Sequence, residues 1–184
     1  MKNKRTKDTI RQEISTLKKK YTISDLQNKS DEVFSVLEIT GVFQSATTIF
    51  IYNSLNDEVA TSAFISKWSN EKDFFLPVVS GENLIFRKHQ ANSNYKISDL
   101  GIKEPTGIDF IDYSKVDLII VPGMAFDRKK NRLGRGKGYY DHFLATIKAP
   151  KAGICFDFQL FDIIPSEEHD IKMDMIISEN ELIW

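Results

Sequence analysis

Two short and almost wholly apolar runs limit what this chain can fold into. Residues 47–52 are rich in β-branched and aromatic side chains, and residues 117–121 end at the pair Pro122-Gly123. Strands that are covered on both faces have continuous apolar runs of this kind. Because a further such run, residues 151–156, follows a helical pattern, strands and helices are predicted to alternate. The prediction is an α/β fold: a single-domain three-layer sandwich whose mostly parallel central sheet carries helices on both faces.

The first two helices are predicted from periodicity and capping signals. Apolar side chains recur at helical spacing in the first helix: Ile10, Ile14, Leu17 and Tyr21. In that helix Lys7 and Arg11 are four positions apart and should point the same way. The second helix is predicted to start at a capping box of Ser24 and Gln27 and to stop near Gly41. Its inward side chains would be Leu26, Val33 and Leu37.

The rest of the chain is assigned in the same way. A helix opened by Glu58 should follow the first strand, and residues 74–79 and 84–88 should form a hairpin. Residues 90–115 are predicted to be mostly loop. A helix over residues 140–147 should precede the run at 151–156, and a strand at residues 174–178 is predicted to close the sheet. In open α/β sheets, ligands bind outside the carboxyl ends of the strands, which would bring together the loops after Tyr52, Val121 and Phe156.

Composition limits the class of protein. The 184 residues suit one domain, and 41% hydrophobic content with 13 phenylalanines can supply a core. No run is long enough to span a bilayer, and the lysine-rich start lacks the apolar segment of a signal peptide, so a cytoplasmic protein without membrane contact is expected. A single cysteine, Cys155, fits a reducing compartment. The net charge of −1 argues against a nucleic-acid partner.

Positive charge is nevertheless concentrated in two places. Residues 1–20 hold eight Lys/Arg, and residues 128–137 hold six with no acid between them. In the second basic segment, Gly134, Gly136 and Gly138 alternate with Arg135 and Lys137. Glycines let the backbone turn tightly and bring its N–H groups to an anion. The sequence therefore predicts a polyphosphate site in this glycine loop.

An aspartate just beyond the glycine loop suggests a metal. Asp141 lies in the first turn of the predicted helix that follows, where an anion site would repel a carboxylate. A Mg²⁺ ion between them would resolve this, since Mg²⁺ uses one or two carboxylates plus substrate oxygens. The spacing of the glycine loop matches neither of the two standard phosphate-binding motifs, GxxxxGK[ST] and GxGxxG. On composition alone a solvated basic loop stays an alternative.

The order of residues in this segment also resembles that of a known protein family. The run PGMAFDRKKNRLGRGKGYYD, residues 122–141, resembles the signature of the 5-formyltetrahydrofolate cyclo-ligase family, also called 5,10-methenyltetrahydrofolate synthetases. The similarity continues in family order at residues 56–58, 101–105, 156–159 and 169–174. This chain departs from the family at Lys130, where the family usually has a glycine. The difference affects the backbone geometry of the turn before the glycine loop.

The resemblance implies an activity and a set of site residues. It implies ATP- and Mg²⁺-dependent closure of 5-formyltetrahydrofolate to 5,10-methenyltetrahydrofolate, by a cytoplasmic and monomeric enzyme. The residues implied for ATP are Lys7, Arg11, Arg132, Leu133, Gly134, Arg135, Gly136, Lys137, Gly138, Tyr139 and Tyr140. Those implied for the folate are Tyr52, Glu58, Arg135, Gly136, Lys137, Gly138 and Tyr139. Arg135 and Lys137 would be catalytic, and Asp141 and Asp170 would bind Mg²⁺.

Other classes of function remain open from the residues alone. The same kind of sheet could carry a phosphorylated-metabolite isomerase or a non-catalytic nucleotide-sensing module, because fold does not fix function. An RNA-binding protein is less supported, since the chain has no recognisable RNA-binding motif. A histidine metal site is also not supported, because His89, His142 and His169 lie far apart and lack HxxxH or HExxH spacing.

Overall fold

The computed structural model describes residues 5–90, 94–98 and 101–184. The α-helices are α1 (Lys7–Lys18), α2 (Ile23–Glu38), α3 (Gly41–Ser45), α4 (Ser62–Trp68) and α5 (Tyr139–Leu144). The strands are β1 (Thr48–Ile51), β2 (Asp73–Ser80), β3 (Asn83–Lys88), β4 (Tyr95–Ile97), β5 (Lys103–Pro105), β6 (Leu118–Val121), β7 (Ala125–Asp127), β8 (Arg132–Leu133), β9 (Lys151–Ile154), β10 (Leu160–Phe161), β11 (Met175–Ile177) and β12 (Leu182–Ile183). Short 3₁₀ helices lie at Tyr113–Lys115 and Asp157–Gln159.

A seven-stranded sheet in the order β12-β11-β9-β6-β1-β2-β3 organises the fold. The strands from β11 through β9, β6 and β1 to β2 are parallel, while β3 and β12 are antiparallel at the two edges. The predicted mostly parallel α/β sheet, its central strand at 117–121 and the hairpin are thus confirmed. The prediction that residues 174–178 close the sheet is wrong. The strand β12 lies outside β11, and two residues are too short to give a sequence pattern.

Successive side chains of the strands separate the core into two layers. In β1, Ile49 and Ile51 pack with the core that includes α2, α3 and α4. Phe50 points to the opposite face and packs with Phe143 and Leu144 of α5. All three β1 side chains are fully buried, as a strand covered on both faces requires.

The first helix does not lie on the main sheet. Ile10 and Ile14 of α1 are fully buried against a small sheet in the order β10-β7-β8, together with Ala125 and Leu133. This small sheet is built from the loops that follow β6 and β9. The amphipathic helix predicted from the sequence is therefore confirmed, and its packing places its basic side chains beside the glycine loop.

Two predicted helix boundaries are wrong. The capping box of α2 is formed by Thr22 and Asp25: the Asp25 N–H donates to Thr22 Oγ1, and the Thr22 N–H donates to Asp25 Oδ2. Ser24 lies inside the first turn instead. The helix ends at Glu38, and Gly41 begins the short α3 rather than stopping α2.

Residues 90–115 are irregular for most of their described length, as predicted, but contain the antiparallel pair of β4 and β5. Asn53, in the loop after β1, donates a hydrogen bond of 2.8 Å to the carbonyl of Lys103 in β5. This pair therefore adjoins the carboxyl end of β1. In the described part of the chain, each helix is too short or too polar to span a bilayer.

We expect Gly153→Ala to destabilise the fold. A Cβ there would lie 2.5 Å from Phe126 Cε1 and 2.8 Å from Ile176 Cδ1, both on buried side chains. Overpacking of this kind costs about 1–3 kcal/mol in the free energy of unfolding, measurable by urea denaturation. Gly41→Ala is the matched control, because nothing lies within 4 Å of its added Cβ. Equal stability of the two variants would contradict the packing described.

Candidate functional site

The glycine loop turns sharply between β8 and α5. Gly136 and Gly138 have φ angles of +100° and +74°, a region that side chains other than glycine rarely adopt. Gly138 is also the N-cap residue of α5. The alternation of glycines read from the sequence thus corresponds to a backbone that requires them.

Two cavities are lined by residues of this loop. The first, called here the Glu58 cavity, is lined by Glu58, Val79, Leu84, Pro122, Gly123, Arg132, Gly134, Arg135, Gly136, Lys137, Gly138, Tyr139, Tyr140 and Asp141. The second, the Lys7 cavity, is lined by Lys7, Arg11, Arg132, Leu133, Gly134, Gly136, Gly138, Asp141, His169 and Asp170. Five residues are common to the two sets: Arg132, Gly134, Gly136, Gly138 and Asp141. The glycine loop is therefore a wall of both cavities.

Charged groups pair closely in the Lys7 cavity. Lys7 Nζ lies 2.7 Å from Asp170 Oδ2 and 3.4 Å from Glu167. Burial lowers the pKa of Lys7, but the hydrogen bonds to these two acids outweigh it and hold that pKa above its usual value. Burial raises the pKa of Asp170, but the bonds from Lys7 and from the Glu167 N–H, with the charge of Lys7, together outweigh it, so the Asp170 pKa lies below its ordinary range. Both side chains remain ionised at neutral pH.

Arg11 connects α1 to the glycine loop directly. Its Nε donates to the carbonyl oxygen of Gly134 at 3.0 Å, and its Nη1 donates to Asp8 at 2.5 Å. The spacing of Lys7 and Arg11, one helical turn apart, brings both into the same cavity, as the sequence predicted for their direction. The two basic segments identified in the sequence thus meet at one place.

Arg132 lies behind the loop and is almost completely buried. Its side chain is 4% exposed, and its Nη2 lies 2.7 Å from Asp141 Oδ1 while Nη1 donates to the carbonyl of Pro122 at 3.3 Å. The guanidinium lies over the Tyr140 ring at 5.5 Å. A Cβ on Gly134 would come within 2.9 Å of Arg132 Nη1, so this position accepts only glycine without movement. Arg132 thus braces the loop as well as lining both cavities.

Arg135 joins the glycine loop to the loop after β1. Its Nη2 lies 2.9 Å from Glu58 Oε1 and 2.8 Å from Asp57 Oδ1. Glu58 is not at a helix start, contrary to the prediction, since α4 begins at Ser62. Its Oε2 instead accepts a hydrogen bond from the Leu55 N–H in a turn. The loop therefore uses Glu58 to bind Arg135, a long-range contact that has no local sequence signal.

Lys137 differs from the other cations of the site. Its side chain is exposed and lines the Glu58 cavity. Within the part of the chain that the structure describes, no hydrogen bond or ion pair joins Lys137 to another residue. Its charge is thus the least neutralised of those on the loop.

The three tyrosines occupy different positions. Tyr139 and Tyr140 line the Glu58 cavity, and the hydroxyl of Tyr140 is buried with no hydrogen-bond partner among the described residues. Burial, and then the charge of Glu58, raises the pKa of Tyr140 far above its ordinary value. Tyr52 lines neither cavity, and its contact with the folate stays a prediction. It is 3% exposed, and its hydroxyl donates to the carbonyl of Val59 at 2.7 Å.

The two aspartates expected to bind a metal lie in the same cavity. Asp141 and Asp170 both line the Lys7 cavity, where each is paired with a cation. No group of three or more His, Cys, Asp or Glu suited to a metal occurs in the described ranges. Mg²⁺ needs only one or two carboxylates when substrate phosphates complete its shell. The donors present therefore fit a Mg²⁺ ion that arrives with a polyphosphate.

Sequence reasoning did not identify several cavity residues. Val79 and Leu84, from the hairpin of β2 and β3, give the Glu58 cavity an apolar side. His169 lines the Lys7 cavity, next to Asp170. The strand period predicts that the hairpin side chains Val79 and Leu84 are partly buried. It does not predict that they face the glycine loop. Leu133, which was expected near ATP, lines the Lys7 cavity and is 2% exposed, packed in the core with α1.

The turn before the glycine loop has a lysine in a left-handed backbone conformation at its centre. Lys130 adopts a φ of +66°, and it is the non-glycine residue with positive φ in the described chain. Buried Asp127 holds this turn, because Oδ1 accepts from the N–H groups of Lys129 and Asn131. Lys130, where the family usually has a glycine, therefore adopts a left-handed backbone conformation that strains a residue with a side chain.

We expect Lys130→Gly to stabilise the protein by about 0.5 kcal/mol. Relief of the left-handed conformation gains about 1–2 kcal/mol, and the greater freedom of glycine in the unfolded chain offsets part of it. Lys129→Gly is the control, because Lys129 has no positive φ and should only lose stability. Chemical denaturation measures both, and a destabilised Lys130→Gly would contradict the strain.

Known proteins match the chain over nearly its whole length. The family profile described as "5-formyltetrahydrofolate cyclo-ligase family" matches residues 3–179. A 5-formyltetrahydrofolate cyclo-ligase of Escherichia coli (strain K12) is 32% identical over 148 residues, covering 76% of this chain and 81% of that protein. A probable 5-formyltetrahydrofolate cyclo-ligase of Caenorhabditis elegans is 27% identical over 197 residues, covering 98% and 96%.

Solved structures share the architecture. The NMR structure of Aquifex aeolicus 5,10-methenyltetrahydrofolate synthetase has a TM-score of 0.86 and 29% identity, and the match covers 96% of this chain and 91% of that one. The parallel sheet, with its glycine loop and cavities at the carboxyl ends of the strands, places the chain in the α/β class of ligand-binding folds. Within that class, the chain belongs to the 5-formyltetrahydrofolate cyclo-ligase family.

Proposed function

We propose that this protein uses ATP and Mg²⁺ to convert 5-formyltetrahydrofolate into 5,10-methenyltetrahydrofolate, releasing ADP and phosphate. One observation carries the proposal. The glycine loop is a common wall of a charged cavity and of a cavity with an apolar side. A loop in that position can hold the phosphates of one ligand against a reacting oxygen of the other. The family membership supports the same substrates.

The chemistry explains why both cavities are needed. The formyl oxygen of the substrate is a poor leaving group, so the γ-phosphoryl group of ATP is transferred to it first. N10 then attacks the resulting iminium carbon, and phosphate leaves as the ring closes. Phosphoryl transfer depends on positioning and on neutralisation of charge rather than on a covalent enzyme intermediate. A site of cations around a rigid loop suits that requirement.

Within this scheme the Lys7 cavity binds the nucleotide. Lys7, Arg11 and Arg132 line it, with the backbone of the glycine loop. Lys7 would exchange its partner Asp170 for phosphate oxygens of the nucleotide, while Arg132 keeps its buried bond to Asp141 Oδ1. Asp170 and Asp141 would then hold Mg²⁺, which neutralises phosphate charge when bound. The pre-formed ion pairs keep these cations in place before the nucleotide arrives.

The Glu58 cavity binds the folate. Val79, Leu84 and Tyr139 offer apolar surface to a flat ring system, and Glu58 offers a carboxylate to its N–H groups. In the ligand-free protein, Arg135 Nη2 lies 2.9 Å from Glu58 Oε1, so the folate would replace Arg135 at this Glu58 oxygen. Arg135 and Lys137 would then stabilise the transferring phosphoryl group, Arg135 as a planar fork and Lys137 as a point charge.

The compartment and assembly state are part of the proposal. We expect a cytoplasmic monomer that acts on small molecules as one domain. The buried single thiol of Cys155 supports a reducing compartment, and burial raises the pKa of that thiol well above its ordinary value.

Lys137→Met should abolish most turnover while leaving the fold intact. The exposed Lys137 ammonium has no structural partner, so its loss removes transition-state charge stabilisation only. We expect kcat/KM to fall about 100-fold or more. Formation of the methenyl product and of ADP is followed together in purified protein.

Lys129→Met serves as the control for charge, because Lys129 is also exposed and lines neither cavity. It should keep normal turnover. A Lys137→Met variant as active as this control would remove Lys137 from the mechanism. Wild-type protein that binds ATP without producing ADP or the methenyl product would favour the nucleotide-sensing alternative.

Asp170→Asn should raise the Mg²⁺ concentration needed for half-maximal activity about tenfold. Asp170 is preferable to Asp141 for this test, because Asp141 also pairs with the buried Arg132 and its loss would cost stability. Asp162→Asn is the matched control, since Asp162 is 97% exposed and lines neither cavity. If the Mg²⁺ titrations of the two variants coincide, Asp170 does not bind the metal.

A further inference from the structure

A third cation of α1 lies at the opposite end of the helix from Lys7. Lys18 is 5% exposed, and its Nζ lies 3.1 Å from Asp57 Oδ2. Eleven residues separate Lys18 from Lys7, a distance of about 16 Å along the helix and almost a whole number of turns. Lys7, Arg11 and Lys18 therefore lie along one side of α1, the side that meets the loops of the site.

The ion pair of Lys18 continues into the site. Asp57 uses one oxygen for each partner: Oδ2 accepts from Lys18, and Oδ1 accepts from Arg135 at 2.8 Å. Arg135 also binds Glu58, with Nε at 3.1 Å and Nη2 at 2.9 Å from Oε1. The four side chains form a continuous row of alternating charge, from the core to the Glu58 cavity.

Lys18 lies at the buried end of this row of charged side chains. A buried ammonium is costly to desolvate, and burial lowers the pKa of Lys18 although Asp57 partly offsets it. Asp57 is 41% exposed, so without a second partner its carboxylate could rotate into solvent. Burial raises the pKa of Asp57, but Lys18 and Arg135 outweigh it and keep that pKa below the ordinary value. Lys18 and Arg135 therefore hold the charge and the orientation of Asp57 together, and Lys18 is the buried one of the two.

We propose that Lys18 is a positioning residue that acts through Asp57 to hold Arg135 at the Glu58 cavity. Binding of the folate takes Glu58 away from Arg135, and this step rests on the function proposed above. Asp57, anchored by Lys18, is then the acid that keeps the guanidinium aimed at the cavity. Lys18 itself lines neither cavity.

The test uses Lys18→Met, which keeps the length and apolar volume of the side chain and removes its charge. Arg135 lines the Glu58 cavity and not the Lys7 cavity. An Arg135 guanidinium that Asp57 no longer holds stays on Glu58 and competes with the folate, so we expect the KM for the folate to rise about tenfold and the KM for ATP to change much less. Asp57→Asn should have a similar effect. The double variant should be no worse than the worse single variant, because both changes break one connection.

Lys72→Met is the matched control. Lys72 is a partly buried lysine whose Nζ donates to the carbonyls of Phe43, Gln44 and Ala46, and it lines neither cavity. It should lower the free energy of unfolding and leave both KM values unchanged. Thermal unfolding of all variants separates loss of fold from loss of positioning.

A second measurement does not depend on turnover. The side-chain Nε–H of Arg135 gives a ¹⁵N signal in the ligand-free protein, assigned by its absence in Arg135→Lys. Lys18→Met and Asp57→Asn should both shift or broaden this signal, and Lys72→Met should not. If the wild-type protein shows no cyclo-ligase turnover, the proposed function fails, and this signal still decides the positioning role.

Three results would overturn the inference. One is an Arg135 signal unchanged in Lys18→Met, and another is a folate KM in Lys18→Met equal to that of Lys72→Met. The third is additive loss in the Lys18→Met/Asp57→Asn double variant, which would mean that Lys18 acts by another route. If Lys18→Met fails to fold, Asp57→Asn alone tests the inference. An Arg135 signal and a folate KM like those of the wild type in Asp57→Asn would show that Asp57 does not connect Lys18 to Arg135, and would overturn the inference.

Discussion

The buried guanidinium of Arg132 is the interaction on which the site depends. It binds the end of β6 through the carbonyl of Pro122, and α5 through Asp141. It also packs against Gly134 and the ring of Tyr140. Three parts of the chain are thus fixed around one cation. Since a buried charge that loses its partner is strongly destabilising, the loop cannot leave this position without a large cost.

This brace explains how a loop rich in glycine can be rigid enough for catalysis. Gly136 and Gly138 permit the turn, but glycine by itself increases the freedom of the chain. Arg132 on one side, and Arg11 with its bond to the Gly134 carbonyl on the other, remove that freedom. The N–H groups of the loop are then fixed before any ligand binds. Preorganisation of this kind lowers the barrier to phosphoryl transfer, because the polar groups need not reorient during the reaction.

The sequence predicted what local chemistry determines. The strand at residues 47–52 and the central strand at 117–121 were predictable, because strands buried on both faces consist of continuous apolar residues. The glycine loop was predictable because its backbone requires glycine. The start of α2 was not, since Thr22 and Ser24 are both good caps and the choice of Thr22 depends on the reciprocal bonds with Asp25. Glu58 was identified as a site residue, but its partner Arg135 lies 77 residues away and could not be read from the loop.

In the proposed function, the formyl oxygen of the substrate receives the γ-phosphoryl group at the glycine loop. The most direct test uses 5-formyltetrahydrofolate labelled with ¹⁸O at the formyl oxygen, with ATP and Mg²⁺ and the wild-type protein. We expect the label to appear in the released inorganic phosphate, detected by the isotope shift of its ³¹P signal. Methenyl product formed with unlabelled phosphate would contradict it, because the formyl oxygen would then have left by another route.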